Sequence, residues 1–131
     1  MPLKFAIPGQ TIAKKNSQRV IRPGRRVSIR PSKAYDAWEE VALQDLQYHR
    51  IPMWRGSYPV EIMFFFFRKN KAKFDIDNML CGTLDVLQKA GVIVDDSMFH
   101  VIPIIERRPD GYGWAIDKDN PRVEITIAAI K

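Results

Sequence analysis

Of the five aspartates in one short stretch, "KFDIDNMLCGTLDVLQKAGVIVDDSMF", which runs from Lys73 to Phe99, four stand in two groups. Asp75 and Asp77 precede an amphipathic run, and Asp95 and Asp96 follow it. Grouped carboxylates suit a hard divalent cation. Mg²⁺ takes oxygen ligands in near-octahedral order and keeps waters and phosphate oxygens beside its carboxylates. Such an ion polarises a phosphodiester, orients an attacking water and stabilises the leaving oxygen. A softer metal does not suit this chain, which has one cysteine, Cys81, and two histidines, His49 and His100, too few for a zinc site. The lone cysteine also excludes an internal disulfide and fits a reducing cytosol.

Helix capping accounts for part of the same pattern. Asp and Asn are good N-caps, and a carboxylate near a helix N-terminus gains about 0.3–1 kcal/mol from the dipole. That explains one of Asp75 and Asp77, or both. It leaves Asp95 and Asp96, which follow the helix where added negative charge gains nothing. The metal reading needs carboxylates from separate segments to meet. Uncompensated, such a cluster is repulsive, and a cation would neutralise it.

The chain carries a net charge of +6, unevenly spread. Its first 35 residues hold nine Lys and Arg and no acid, whereas the rest holds 12 basic and 15 acidic side chains. This asymmetry points to a polyanion partner, nucleic acid or an anionic membrane surface, with clustering favouring nucleic acid. Lys14, Lys15, Arg19, Arg25 and Arg26 are the candidate phosphate contacts, with Lys69, Lys71 and Lys73 nearer the acidic stretch. Each also reads as solvated surface. Bases to hold a DNA backbone and acids to hold a metal are the layout of a nuclease.

The elements that must position these residues fit one α+β domain spanning residues 1–131, with two helices on a small mixed sheet. "LKFAIP" alternates and ends at Pro8-Gly9, as a strand does. Residues 9–24 read as polar chain without periodicity, followed by a short strand around Val27 and Ile29. Ser32 is placed to cap a helix over 33–48, whose stripe is Tyr35, Trp38, Ala42, Leu43 and Leu46. The continuous apolar run over 60–67 predicts a strand buried on both faces, central in the sheet or at a subunit contact. A second helix is expected over 77–89, stopped by Gly91, then a brief strand at "VIV" and two late strands joined by the turn-rich "PDGYGWAIDKDNP". "IMFFFF" is far too short to span a membrane, and no signal peptide is expected. Trp38 and Trp54 read as packing; Trp114 reads as packing first and a base-stacking residue second. His100, beside the acidic pair, reads as a strand residue first and a site residue second.

The Asp-rich stretch resembles the central motif of the RusA family of Holliday junction resolvases. Asp75-Ile76-Asp77-Asn78 opens the helix, Asp85-Val86-Leu87 follows within it, and Asp95-Asp96-Ser97 comes after it. "IPGQTIAKKNSQR" is similar to that family's first strand and basic loop, and "PSKAYDAWEEVA" to its first helix. The resemblance implies a Mg²⁺-dependent enzyme, with Mn²⁺ as a substitute. It implies a cytoplasmic homodimer that binds four-way junction DNA and resolves it by paired symmetric nicks in recombination and repair. No membrane and no small-molecule cofactor are implied. Asp75, Asp77 and Asp96 would be the essential carboxylates. Asp95 would help them hold the metal, and Asn78 would cap the helix or orient ligands.

One position departs from the family. A Lys usually stands four residues after the second motif Asp, and here that residue is Cys81. A Lys there would lie one turn from Asp77 on the same helix face, within reach of developing charge. Cys81 reads instead as a small semi-buried helix residue. Lys73 and Lys89 are the nearest candidates in sequence to supply the charge. The departure leaves a second expectation open, a junction-binding protein of weak or no catalytic activity.

Overall fold

The computed structural model describes residues 2–12, 18–21, 28–31, 33–72, 74–95, 97 and 100–130, with 18–21 and 28–31 described by their backbone. The long apolar run forms the central strand of the main sheet, β4 (Val60–Arg68). On one side it pairs antiparallel with β9 (Arg122–Ala129), from Val60↔Ala129 to Phe67↔Arg122. β1 (Leu3–Pro8) extends the sheet beyond β9. On its other side, β4 pairs in parallel with β5 (Val101–Ile105) along its first half and with β8 (Trp114–Ile116) at its end.

Alternation along β4 sends Val60, Ile62, Phe64 and Phe66 to one face. There they form one buried cluster with Tyr35, Trp38, Ala42 and Leu46 of α1 (Lys33–Tyr48) and Met79, Leu84, Val86 and Leu87 of α2 (Ile76–Lys89). Phe65 is equally buried, but on the opposite face. Its cover is the Arg108 guanidinium, 4.3 Å from the ring centroid, and the small hairpin of β6 (Arg107–Arg108) and β7 (Gly111–Tyr112). A Cβ on Gly111 would lie 2.0 Å from the Trp114 carbonyl oxygen, so the hairpin can sit this close only with glycine there. The strand is central, as its composition predicts, fully buried on the helix face and on the other face buried at Phe65 but only partly so at Glu61, Met63 and Phe67.

Three local expectations are corrected. Residues 18–21 and 28–31 form an antiparallel ribbon, β2 (Gln18–Ile21) and β3 (Ser28–Pro31), so the supposed irregular basic segment holds half a hairpin. The turn-rich segment holds β7 and β8, whose two and three residues owe their extended form to pairing rather than to a pattern of their own. "VIV" is not a strand. Gly91 takes the left-handed conformation (φ 76°), and the amides of Gly91 and Val92 return to the Gln88 and Leu87 carbonyls at 3.0 and 2.9 Å. This double closure ends α2 and drops Val92 and Ile93 into the core. Ser32 lies outside the described residues. No helix among the described residues is long and apolar enough to cross a membrane.

Candidate active site

The turn from β4 into α2 is built around a buried arginine. Arg68 continues the inward-facing series of β4 where the apolar core gives out, and it is only 5% exposed. Its Nη2 donates to the Ala72 carbonyl at 3.4 Å and its Nη1 to Met79 Sδ at 3.5 Å. Its guanidinium lies 4.2 Å from the Phe74 ring centroid, and Phe74 meets Trp114 edge-on at 5.5 Å. One side chain thus grips both arms of the turn. Burial draws its pKa below the usual arginine range. Trp114 takes its packing role.

At the head of that turn, Asp75 is the N-cap of α2. Its Oδ1 accepts from the Asp77 amide at 3.1 Å, and its carbonyl accepts from Met79 N at 3.1 Å. The cap is worth about 1 kcal/mol. It engages one carboxylate oxygen and leaves Oδ2 for a ligand. Asp77, in the first turn, is exposed, and its carboxylate has no hydrogen-bond or ion-pair partner among the described residues. Capping and ligation therefore coexist here, with the cap made by Asp75. Asn78 is not the cap; it is buried within the first turn. Lys69 and Lys71 are exposed on the loop leading in, where the Lys69 amide donates to Gln10 Oε1 at 2.7 Å.

Cys81 is exposed, not semi-buried, so the position one turn from Asp77 is open to solvent. Lys89 does not stand in for a cation there. Its Nζ binds both Glu39 carboxylate oxygens at 3.0 Å and Asp85 Oδ2 at 3.4 Å, and it lies in the last turn of α2.

Asp95, of the second acidic pair, sits in a separate frame. Asp95 Oδ1 accepts from the Ser97 amide at 3.0 Å and lies 2.9 Å from His100 Nδ1, which also meets Ser97 Oγ at 3.1 Å. A carboxylate only accepts, so Nδ1 carries the proton in that contact. The Ser97 amide and hydroxyl, and then His100, hold the Asp95 carboxyl below the usual carboxylate range. Tyr58 packs edge-on against His100 at 5.1 Å, and its hydroxyl accepts from Val94 N at 3.3 Å. His100 precedes β5 and is the residue that the sequence ranked too low. Its spacing of five from Asp95 was the available signal.

Asp75 and Asp77 stand at one end of α2 and Asp95 stands toward the other. Asp75 and Asp77 lie by the C-terminal end of β4, where Phe74 meets Trp114. Asp95 lies by its N-terminal end, where Val60 N donates to the His100 carbonyl at 2.8 Å. The 14 residues of α2 between them span roughly 20 Å at 1.5 Å per residue. Among the described residues, no three acidic, imidazole or thiol groups gather as a metal site. The hard oxygen donors at Asp75 and Asp77 suit a cation such as Mg²⁺ chemically, and Asp95 lies toward the other end of α2. Asp96, Lys14, Lys15, Arg25, Arg26 and Lys73 lie outside the described residues, and of Arg19 only the backbone is described.

The sequence model of the family described as Endodeoxyribonuclease RusA matches residues 8–128. The chain belongs to the RusA endodeoxyribonuclease family. A relative from Aquifex aeolicus (strain VF5), named "Crossover junction endodeoxyribonuclease RusA", is 32% identical over 101 residues, covering 72% of this chain and 76% of the relative. The match spans β4, α2 and both acidic pairs, and the α+β fold agrees with RusA membership. Metal dependence is general among RusA nucleases.

Proposed function

We propose that this RusA-family chain resolves four-way DNA junctions by paired symmetric nicks, as a homodimer dependent on Mg²⁺ or Mn²⁺, in DNA recombination and repair. The observation that carries the reading is the capped turn that holds the Asp77 carboxylate exposed beside Asp75, without a partner among the described residues, with Lys69 and Lys71 on the loop before it. A protein of net charge +6 that keeps an exposed carboxylate beside a capping one at a helix terminus is arranged to approach a polyanion and hold a cation against it.

Asp75, Asp77 and Asp96 are the proposed essential carboxylates, with Asp95 assisting. The cation, when bound, would neutralise charge at the scissile phosphate and activate water. The protein's own part is positioning. Arg68 stiffens the turn, Asp75 caps it, and His100 with Ser97 fixes Asp95. Lys69 and Lys71, with Lys14, Lys15, Arg19, Arg25, Arg26 and Lys73 from the sequence, would take the DNA backbone.

A second reading, a junction binder that cuts slowly or not at all, draws support from Cys81. Its thiol is exposed where the family carries a Lys, and Lys89 is tied to Glu39 and Asp85. Strand-specific mapping of cuts on a labelled four-way junction, beside a flap and a single strand of the same sequence, separates the readings. Paired cuts confined to the junction are expected. Equal cutting of all three substrates would leave a general nuclease, and tight junction binding without cuts would leave the second reading.

A further inference from the structure

The hairpin of β6 and β7 has two faces of different chemistry. Arg107 pairs with Tyr112 and Arg108 with Gly111, joined by the two-residue turn Pro109-Asp110. Side chains alternate along a strand, and directly opposed residues share a face. Arg108 and Gly111 therefore form the inner face, which covers Phe65, and Arg108 there meets Glu106 and, at 2.7 Å, Glu124. Arg107 and Tyr112 form the outer face. The Tyr112 ring is 72% exposed, and the exposed Arg107 guanidinium lies 5.1 Å from its centroid. Among the described residues, Arg107 meets no carboxylate and the Tyr112 hydroxyl has no hydrogen-bond partner.

This outer pair is fixed, and its root packs on the acidic turn. Glu106 N donates to the Phe64 carbonyl at 3.1 Å, Gly113 N to the Glu106 carbonyl at 2.8 Å and Phe66 N to the Gly113 carbonyl at 2.9 Å. Both ends of the hairpin thus hang on β4. Gly113, next to Tyr112, takes φ 83°, and a Cβ on it would lie 3.7 Å from Ile76 Cδ1. Ile76 stands between Asp75 and Asp77. Trp114, two residues from Tyr112, meets Phe74, which precedes Asp75.

We infer that Tyr112 stacks on an exposed base of bound DNA while Arg107 takes a neighbouring phosphate, so that this hairpin face selects DNA whose base stacking is interrupted. The inference rests on the junction-directed reading above. A ring this exposed gains by stacking, and every base offers it a flat partner. Arginine is the matching cation, since it stacks on the ring and its donors fit a phosphate. In a linear duplex all base faces but the terminal ones are already stacked, and a ring held in place finds no partner there. A branch point or a single strand exposes such faces. Asp110, at the hairpin tip, is exposed and acidic, so the phosphate contact falls to the face behind the tip.

Fluorescence anisotropy in EDTA, where strands stay whole, tests this on a four-way junction, a linear duplex of the same arm sequence and a single strand. Tyr112→Ala should weaken junction and single-strand binding by about 5-fold to 150-fold and leave duplex binding unchanged. Tyr112→Phe keeps the ring and should bind as wild type does. Arg107→Gln should flatten the salt dependence by about 0.7–0.9 in log–log slope. Both side chains are exposed, so thermal midpoints should match that of wild type. A Tyr112→Ala protein that binds all three substrates like wild type would overturn the inference. So would an equal loss on all three, a Tyr112→Phe protein as weak as Tyr112→Ala, or an unchanged salt slope in Arg107→Gln. Wild type with equal affinity for junction and duplex would sink the junction reading alone. The hairpin inference is then decided on the single strand, where Tyr112→Ala must bind more weakly than Tyr112→Phe.

Discussion

Replacing Cys81 with Lys should raise the cleavage rate without cost to the fold. The site is exposed, so the longer side chain meets no buried neighbour. Lysine is the better helix former by a few tenths of a kcal/mol. Asp77 and Asp85 flank it at four-residue spacing, and exposed pairs of that kind contribute about 0.3–0.5 kcal/mol each. Asp85 already meets Lys89, so its share will be smaller. The expected thermal midpoint is therefore unchanged or slightly raised. The catalytic effect is larger. A cation about 6 Å from charge developing beside Asp77 is worth roughly 0.7–3 kcal/mol for an effective dielectric between 80 and 20. That corresponds to about 3-fold to 100-fold in rate. Single-turnover cleavage of a radiolabelled four-way junction at saturating protein reads it out. Aminoethylation of the native thiol should produce the same gain from the wild-type chain. A well-folded Cys81→Lys protein that cuts no faster than wild type would refute the argument that this position faces the reacting phosphate.

Three further outcomes follow from the same geometry. His100→Phe keeps the ring against Tyr58 but loses the Nδ1 contact to Asp95, so more Mg²⁺ will be needed for half-maximal cleavage; His100→Asn should restore much of the wild-type titration. Glu124 tests the outer face of the sheet. Burial alone would raise its pKa, but Arg108 at 2.7 Å and Arg122 at 2.8 Å outweigh that and lower it. A lowered folded-state pKa means stability that is present above the unfolded value, about 4.3, and lost as pH falls through the folded one. Glu124→Gln should thus cost on the order of 1–2 kcal/mol at neutral pH and flatten acid unfolding below pH 5 in denaturant titrations. Junction affinity should fall linearly in log–log form with salt, by a slope near −0.9 per phosphate neutralised; a flat plot in a filter-binding titration would count against the basic arm as a DNA contact.

Much of this architecture was legible because the core writes its own period. Tyr35, Trp38, Ala42 and Leu46 mark the buried stripe of α1, which runs over the predicted residues 33–48. The unbroken run at β4 announced a central strand, and Phe65 under Arg108 shows how its second face is partly closed without a helix. What escaped was decided by partners distant in sequence. β8 is a strand because Phe66, Phe67 and Arg68 offer it an edge, not because "WAI" alternates. "VIV" is apolar because two of its residues fill the core after a left-handed glycine. Acids that flank one helix look adjacent in the sequence, yet the helix itself is the spacer that keeps them apart. His100 stands just before a strand, and only its spacing of five from Asp95 hinted at the contact that the loop between them makes.

The central claim is that the bare carboxylate at the head of α2 cuts DNA junctions with a divalent cation. A denaturing-gel assay on a mobile four-way junction, in Mg²⁺ or EDTA, with wild type beside Asp77→Asn, tests it most directly. Paired nicks are expected only from wild type and only in Mg²⁺. Equal cutting by Asp77→Asn, or nicks that persist in EDTA, would contradict the account.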